Sequence, residues 1–244
     1  MARCIDVLLG PPWNADAMRG AHVAVIDVLR ATTTIAVALA NGAAGVIAVA
    51  EPEDAIALGN RLGRERVLFC GERDSLRIDG FDLDNSPASF APPVVAGKTL
   101  VMTTTNGTRA LRAVGSAKSV RAVALVNRRA VADALAHEAG DVVIVCAGET
   151  NGFALEDALG AGALVDALLM QIGDVELADG ARAATLLYRA VANRLADAVA
   201  SADHAQVLVH KGFAGDVARC AALDTLDVVP TLRDGMLVAT ANGT

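Results

Sequence analysis

The sequence is poor in aromatic side chains, which make up 3% of its 244 residues, although 54% of the residues are hydrophobic. A core with so few rings must be filled by alanine, valine and leucine. These small side chains allow helices to lie close to a sheet. No apolar run reaches the roughly 18 residues that a membrane-spanning helix requires, so we expect no membrane association.

The N-terminal segment contains only a short apolar run before Pro11 and Pro12. This run is too short for a secretory signal, and we expect a cytoplasmic protein. The formal net charge is −7, and no basic run is present. Nucleic-acid binding is therefore not expected, and an anionic substrate would need a local cluster of arginines.

Several common signatures are also absent. The four cysteines are too widely spaced for a zinc finger, so reduced thiols are expected. A cysteine phosphatase needs an arginine six residues after its cysteine, but Leu76 follows Cys70 and Gly152 follows Cys146 at that distance. Asp27 lacks the second aspartate of a haloacid-dehalogenase start. No phosphate-binding loop ending in Gly-Lys-Ser/Thr and no dinucleotide fingerprint is present.

What the sequence does contain is a regular alternation of short apolar strands and helices over residues 1–150, followed by a mainly helical portion over 151–244. This order favours one α/β domain of residues 1–244, with a mostly parallel, doubly wound, three-layer sheet and a helical C-terminal region. We predict about seven strands, and helices over 153–171, 181–200 and 202–222. The segment around Pro230 is predicted as a last edge strand.

One stretch, VAVIDVLRATTT, places a carboxylate and a guanidinium where a buried strand meets a helix. The strand ends at Asp27, the turn contains Arg30, and the threonines after it are predicted to cap the helix. Anionic ligands bind at such strand ends. Arg30 could also simply pair with Asp27 and hold the turn, and a threonine run is more often a cap than a ligand site.

The same arrangement recurs at two further strand ends. TTTNGTRAL follows the strand at 100–102 and ends in Arg109. AGETNGFALED follows the strand at 142–146 and places four polar or glycine positions at a helix start, namely Asn151, Gly152, Glu156 and Asp157. The two acids could equally be partners of the helix dipole.

The long loop CGERDSLRIDGFDLDNSP carries Glu72, Arg73, Asp82, Asn85 and Ser86 among apolar residues. We predict that it is ordered and lies over the site, because long loops in compact domains are usually functional or disordered. Its acids, together with Asp27, are the hard oxygen ligands that Mg²⁺ prefers. Arginine forks match phosphate or sulfonate.

Histidine chemistry is not expected. His22 stands at the start of its strand, and His137, His204 and His210 lie on predicted helices. The apolar helix predicted from Phe153 could pack on the sheet or on a second copy of the chain, and we favour a homodimer.

Taken in order, IDVLRATTT, FCGER, GFDLDNSP, TTTNGTRAL and CAGETNGFALEDALGAG resemble the motifs of the 2-phosphosulfolactate phosphatase family of coenzyme M biosynthesis. The resemblance implies a Mg²⁺-dependent phosphatase acting on phosphate monoesters of 2-hydroxycarboxylic acids and releasing (R)-3-sulfolactate. Two positions depart from the family pattern. Asp84 replaces a glycine, and the segment ADHA at 202–205 stands where Ser-x-His-Gly is expected.

The resulting hypothesis assigns three sets of residues. The catalytic set is Asp27, Arg30, Arg109 and Glu72. The predicted metal ligands are Asp27, Glu72, Glu156 and Asp157. Predicted substrate-binding residues are Thr32, Thr33, Arg73, Asn85, Ser86, Thr105, Asn106, Gly107 and Thr108.

Three alternatives stay open from the sequence. Asp27 is either a metal ligand or a nucleophile that forms an acyl phosphate. The chain could instead be a non-catalytic binder of small phosphorylated or sulfonated metabolites. It could also be an enzyme of the same fold that acts on another phosphoester.

Overall fold

The computed structural model describes residues 3–149 and 152–240. Within them the first half alternates strands and helices: β1 (Arg3–Leu8), β2 (His22–Ile26), α1 (Ala31–Ala40), β3 (Gly45–Ala48), α2 (Pro52–Leu62), β4 (Val67–Arg73), β5 (Leu76–Arg77), α3 (Pro92–Val95), β6 (Thr99–Thr103), α4 (Gly107–Ala113), β7 (Ser119–Val123), α5 (Arg128–Ala136) and β8 (Val142–Cys146). The predicted strands of this half are confirmed to within a few residues.

The C-terminal portion is mainly helical, as predicted: α6 (Leu155–Leu169), β9 (Val175–Leu177), α7 (Asp179–Val191), α8 (Leu195–Ala200), α9 (Asp203–His210), α10 (Ala214–Cys220), β10 (Val229–Arg233) and β11 (Met236–Thr240). Each of the two long helices predicted after residue 180 is two shorter ones. Three short strands, β5, β9 and β11, were not predicted, because short strands at sheet edges or in hairpins have weak apolar patterns.

The described strands form one sheet in the order β5-β4-β6-β3-β11-β10-β7-β2-β8-β1-β9. Parallel pairs join β4, β6 and β3 on one side and β7, β2, β8, β1 and β9 on the other. The antiparallel hairpin β10–β11 lies between these two parallel halves. The α/β class is confirmed, with most of the sheet parallel.

The prediction of an edge strand around Pro230 was wrong, because β10 lies in the middle of the sheet. A proline normally excludes a central position, since it lacks the N–H that the ladder needs. Here the ladder between β10 and β7 consists of one registered pair, Thr231 with Arg121. Pro230 therefore has little hydrogen bonding to disrupt on that side.

Both faces of the sheet are covered, as a three-layer arrangement requires. Along β2, Val23 and Val25 pack in a cluster with α1 and α4, whereas Ala24 and Ile26 pack in a cluster with α5, α6 and α7. Every residue of β2 is buried. The alternation of side chains in a strand thus supplies both layers of core from one apolar run.

Helix α6 is the most deeply buried helix of the second portion. A Cβ at Gly162 would lie 2.0 Å from the backbone oxygen of Ala184 in α7, and one at Gly160 would lie 2.9 Å from Val28. Glycine at these two positions permits the predicted close packing. Because α6 is covered within one chain, it does not supply the surface from which a homodimer was predicted. No helix in the described ranges has the length and apolar character to span a bilayer.

Candidate active site

A cavity of about 260 Å³ lies where the chain leaves the carboxyl ends of β2, β4, β6 and β8, and α9 closes one side of it. We call it the acidic cavity. Its walls contain the following residues: Asp27, Leu29, Arg30, Glu72, Asp74, Ser75, Asn85, Thr104, Thr105, Asn106, Glu149, His204, Val207 and Lys211. It draws on both parallel halves of the sheet, and the long loop after β4 is ordered and forms part of its wall, as predicted.

Asp27 follows β2 directly and is 7% exposed. Its Oδ1 accepts a hydrogen bond from the backbone N–H of Ala31 at 3.0 Å. A Cβ at Gly107 would lie 2.6 Å from its Oδ2, so the start of α4 can reach the carboxylate only because residue 107 is glycine. Burial raises the pKa of Asp27 to about 6; Glu72 and Glu149 add to this rise, while the Ala31 bond and His204 oppose it.

Glu72 lies in β4 and joins the ends of two strands. Its Oε1 accepts from the backbone N–H of Thr105 at 2.8 Å, and its Oε2 accepts from the backbone N–H of Ser75 at the same distance. The side chain is 8% exposed. Two backbone donors therefore orient this buried carboxylate in the cavity wall.

Two amide side chains in the cavity wall have an unsatisfied acceptor. The Oδ1 atoms of Asn85 and Asn106 are buried and have no hydrogen-bond partner within the described residues. A buried acceptor without a partner costs about 1 to 3 kcal/mol. Such atoms are suited to a ligand that donates a hydrogen bond or to a cation.

Arg30 is fully buried and is tied to protein groups rather than to Asp27. Its Nη1 lies 2.7 Å from Oδ2 of Asp216, and its Nη2 donates to the backbone oxygen of Ser75 at 2.9 Å. The guanidinium stacks over Phe213 at 4.4 Å. Ser86 donates to the other oxygen of Asp216 at 2.7 Å. Arg30 and Ser86 thus belong to one buried network that connects the cavity wall to α10.

His204 was not expected in the site, yet the structure places it in the cavity wall. Its Nδ1 lies 2.9 Å from Oε1 of Glu149. Burial opposes a charge on the ring, but Glu149, Glu156 and Asp27 outweigh it and raise the pKa of His204 above its ordinary value. The imidazolium form is therefore favoured beside the acids.

Lys211 and Glu149 are further wall residues that sequence reasoning missed. His204, Val207 and Lys211 are spaced three and seven residues apart, which is one face of a helix. That spacing was a usable signal in α9. Packing decides which groups this helix face contacts. At its end, the Nζ of Lys211 donates to the backbone oxygen of Asp74.

The two acids of α6 lie outside the cavity wall. Asp157 accepts from the backbone N–H of Val28 at 2.8 Å and from that of Gly148 at 2.9 Å, so it holds together the turns after β2 and β8. Burial, Asp27 and Glu156 raise its pKa, and these two bonds oppose the rise. Burial also raises the pKa of Glu156 to about 7, and Asp27 and Glu149 add to that effect.

The hydroxyl groups predicted to bind substrate are largely used by the fold. The Oγ1 of Thr32 donates to the backbone oxygen of Asp27, and that of Thr33 donates to Val28. Thr108 donates to Thr104. The prediction that the threonines cap α1 was wrong, because Arg30 is the N-cap residue and the side chain that accepts from the first N–H of the helix is that of Asp27. The threonines stand within the first turn of the helix.

Three other predicted residues lie away from the acidic cavity. Arg73 and Arg109 line a second cavity, of about 560 Å³, on the other side of Thr104 and Thr105. The guanidinium of Arg109 lies over the ring of Trp13 at 5.5 Å. Asp82 is bonded to Arg64 and to the backbone N–H of Phe69. Asn151 lies outside the described residues.

No group of three or more histidine, cysteine, aspartate or glutamate side chains in the described ranges is arranged to hold a metal ion. A cation held by one or two carboxylates is the arrangement that remains. Asp27 and Glu72 are the buried carboxylates of the cavity wall, and the free amide oxygens of Asn85 and Asn106 are hard ligands beside them.

Comparison with known proteins gives a consistent result. The family model described as 2-phosphosulpholactate phosphatase matches residues 13–235. The chain is 42% identical over 224 residues to a probable 2-phosphosulfolactate phosphatase of Caldanaerobacter subterraneus subsp. tengcongensis, which covers 92% of each chain. Proteins of the same name from Symbiobacterium thermophilum and Thermotoga petrophila are 40% and 39% identical, covering 93% and 96% of this chain and 97% of each relative.

Proposed function

Because the chain belongs to the 2-phosphosulpholactate phosphatase family, we propose that it hydrolyses (2R)-2-phospho-3-sulfolactate to (R)-3-sulfolactate and phosphate. The observation that carries this proposal is the convergence of Asp27, Glu72 and His204 on one cavity of about 260 Å³. Acids at strand ends and an acid-paired histidine can supply the charge stabilisation and the proton transfer that speed phosphoryl transfer to water. Other phosphate monoesters of 2-hydroxycarboxylic acids are further candidate substrates.

Charge balance supports a divalent cation in the acidic cavity. Its wall contains four carboxylates, those of Asp27, Glu72, Asp74 and Glu149, and three cationic side chains, one of which is Arg30. Arg30 is already paired with Asp216. A phosphate dianion would therefore meet net negative charge, which a divalent cation would neutralise.

Mg²⁺ suits this set of oxygen donors, because it needs one or two carboxylates with waters and substrate oxygens. Asp27 and Glu72 would hold it, and the free oxygens of Asn85 and Asn106 are suited to its bound waters. When bound, the ion would neutralise charge on the phosphate. This replaces the four-acid ligand set, because Glu156 and Asp157 lie outside the cavity wall.

The proton step is assigned to His204. Glu149 fixes its Nδ1, which leaves Nε2 to donate a proton. The bond from phosphorus to the substrate C2 oxygen breaks, and the proton of Nε2 goes to that oxygen. Phosphorus gains a bond either to water or to Asp27, and in each route the proton lost by the attacking water restores the one that Nε2 of His204 gave up. In the second route water then cleaves the acyl phosphate. Lys211 would bind the substrate carboxylate.

The test is a phosphate-release assay with and without a chelator, over a panel of phosphorylated 2-hydroxy acids that includes 2-phospho-3-sulfolactate. We expect release that depends on metal and is fastest with the sulfonated substrate. Binding without release by the metal-loaded protein would favour the non-catalytic binder. Fastest release from an unsulfonated ester would favour another substrate. Rapid quench with labelled substrate separates the two routes, because only the nucleophilic route leaves phosphate on Asp27.

A further inference from the structure

The second cavity, of about 560 Å³, differs in charge from the acidic cavity beside it. Three arginines line it, Arg73, Arg109 and Arg112, against one acidic residue, Glu51. We call it the arginine pocket. Thr104 and Thr105 line both cavities, so the two share a wall.

Two of these arginines have no acidic partner in the part of the chain that the structure describes. Arg73 is 3.4 Å from Glu51 and also donates to Thr103 and to backbone oxygens. Arg109 and Arg112 make no ion pair with any residue in the described ranges. The guanidinium of Arg109 makes a cation–π contact with the ring of Trp13. The two arginines are three residues apart on α4, so the two like charges face the same side of the helix.

Such a placement is unfavourable without an anion. The chain carries a net charge of −7, so carboxylates are abundant, yet the one at the pocket is engaged by Arg73. Like charges on one helix face repel. An anion with several oxygens could accept hydrogen bonds from the guanidinium groups of the three arginines, and its negative charge would offset their repulsion.

We propose that the arginine pocket binds a tetrahedral oxyanion, a sulfonate or a phosphate, through Arg109 and Arg112, with Arg73 as the third cation. Two sources of this group are consistent with its position. The sulfonate of a substrate could reach across Thr105 from the acidic cavity, which rests on the proposed function. Alternatively, a free anion could bind separately, because the Glu72–Thr105 hydrogen bond lies in the shared wall.

The first test measures binding alone, so it does not depend on catalysis. Inorganic sulfate is titrated calorimetrically into the wild type and into the double variant Arg109→Gln/Arg112→Gln. The matched control is Arg61→Gln/Arg219→Gln, which removes two exposed helical arginines that line no cavity described here. We expect the first variant to lose at least tenfold in sulfate affinity and the control to keep it. Equal affinity in all three, or no saturable binding by the wild type, overturns the proposal.

The second test assigns the source. KM is measured for 2-phospho-3-sulfolactate and for 2-phospholactate, which has a methyl group in place of the sulfonatomethyl group. If the pocket holds the substrate sulfonate, the Arg109→Gln/Arg112→Gln variant raises KM at least tenfold for the first substrate only. If it holds a free anion, both KM values stay, although the sulfate affinity of the same variant falls. Should the wild type hydrolyse neither ester, the proposed function fails while the sulfate titration still tests the pocket.

Discussion

The two adjoining cavities use charged side chains in opposite ways. In the acidic cavity Asp27, Glu72 and Arg30 are buried, and each has backbone or ion-pair partners that orient it. In the arginine pocket Arg109 and Arg112 are exposed and have no ion pair within the described residues. Buried, oriented groups are those of a reaction site, whereas exposed cations are suited to reversible binding.

This difference separates the expected effects of substitution. A buried charge that loses its partner destabilises the fold, because it stays out of water without compensation. An exposed charge returns to water and costs little. Changes in the acidic cavity should therefore alter stability or turnover, and changes in the arginine pocket should alter affinity.

The largest effect is expected for Arg30→Met, which leaves the side chain of Asp216 buried with Ser86 as its one remaining side-chain partner among the described residues. The free energy of unfolding should fall by about 3 to 5 kcal/mol, measured by urea denaturation. The control Arg189→Met removes an exposed pair with Asp166 and should cost at most about 1 kcal/mol. Adding Asp216→Asn to Arg30→Met should recover part of the loss. Equal losses for the two arginines would show that burial of the pair is not decisive.

The next effect concerns turnover. Asp27→Asn removes a negative charge from the centre of the acidic cavity and should lower kcat/KM about 100- to 1,000-fold, or about 2.7 to 4 kcal/mol of transition-state stabilisation. Asp79→Asn, in the exposed part of the loop after β5, should stay within about twofold of the wild type. Near-normal activity of Asp27→Asn would move the reaction out of this cavity.

A change of about 100-fold in kcat near neutral pH is expected for His204→Gln, because it removes the general acid. In the wild type the raised pKa of His204 keeps the ring protonated to a higher pH than an ordinary histidine. The loss of activity at alkaline pH should therefore begin only when the pH rises through that pKa. His204→Gln should lose this alkaline limb.

Glu149→Gln provides the matched test of the same prediction. It removes the carboxylate that raises the pKa of His204, so the alkaline limb should move to lower pH while activity at acidic pH is largely kept. His137→Gln, which changes an exposed histidine at the C-terminal end of α5, serves as the control. An unchanged alkaline limb in Glu149→Gln would show that the His204–Glu149 pair does not set the pH dependence.

The smallest effect is expected for stability in the arginine pocket. Arg109→Gln loses an exposed contact with Trp13 and should lower the free energy of unfolding by at most about 1 kcal/mol. Urea denaturation beside Arg30→Met makes the comparison direct. A loss as large as that of Arg30→Met would mean that Arg109 has a structural role, and the contrast between the cavities would fail.

Much of the reaction site follows from strand ends that are readable in the sequence. Val23–Ile26 and 142–146 are apolar runs that end in polar segments, and parallel strands bring such ends to one edge. Asp27 and Glu72 were placed in this way. Arg109 was predicted at the same edge, but it lies on the side of α4 that lines the arginine pocket. Which side of a helix faces a given cavity depends on packing.

His204 illustrates what local pattern could not show. Its helix comes more than fifty residues after the predicted strand that ends at Cys146, and the segment ADHA departs from the Ser-x-His-Gly of the family pattern, so the local pattern indicated only a helix. Only the packing of α9 against the strand ends brings it beside Glu149. The hairpin β10–β11 is similar, because its central position depends on how the two parallel halves close around it.

The sequence by itself determined the elements and the chemistry they carry, since apolar periodicity sets strand and helix and since turn residues follow each strand end. The tertiary structure alone decided which charges meet. Partners such as Arg30 and Asp216, or His204 and Glu149, are far apart along the chain. Contacts of that kind arise from the packing of whole layers, whose burial of apolar surface outweighs any local preference of a single charged side chain.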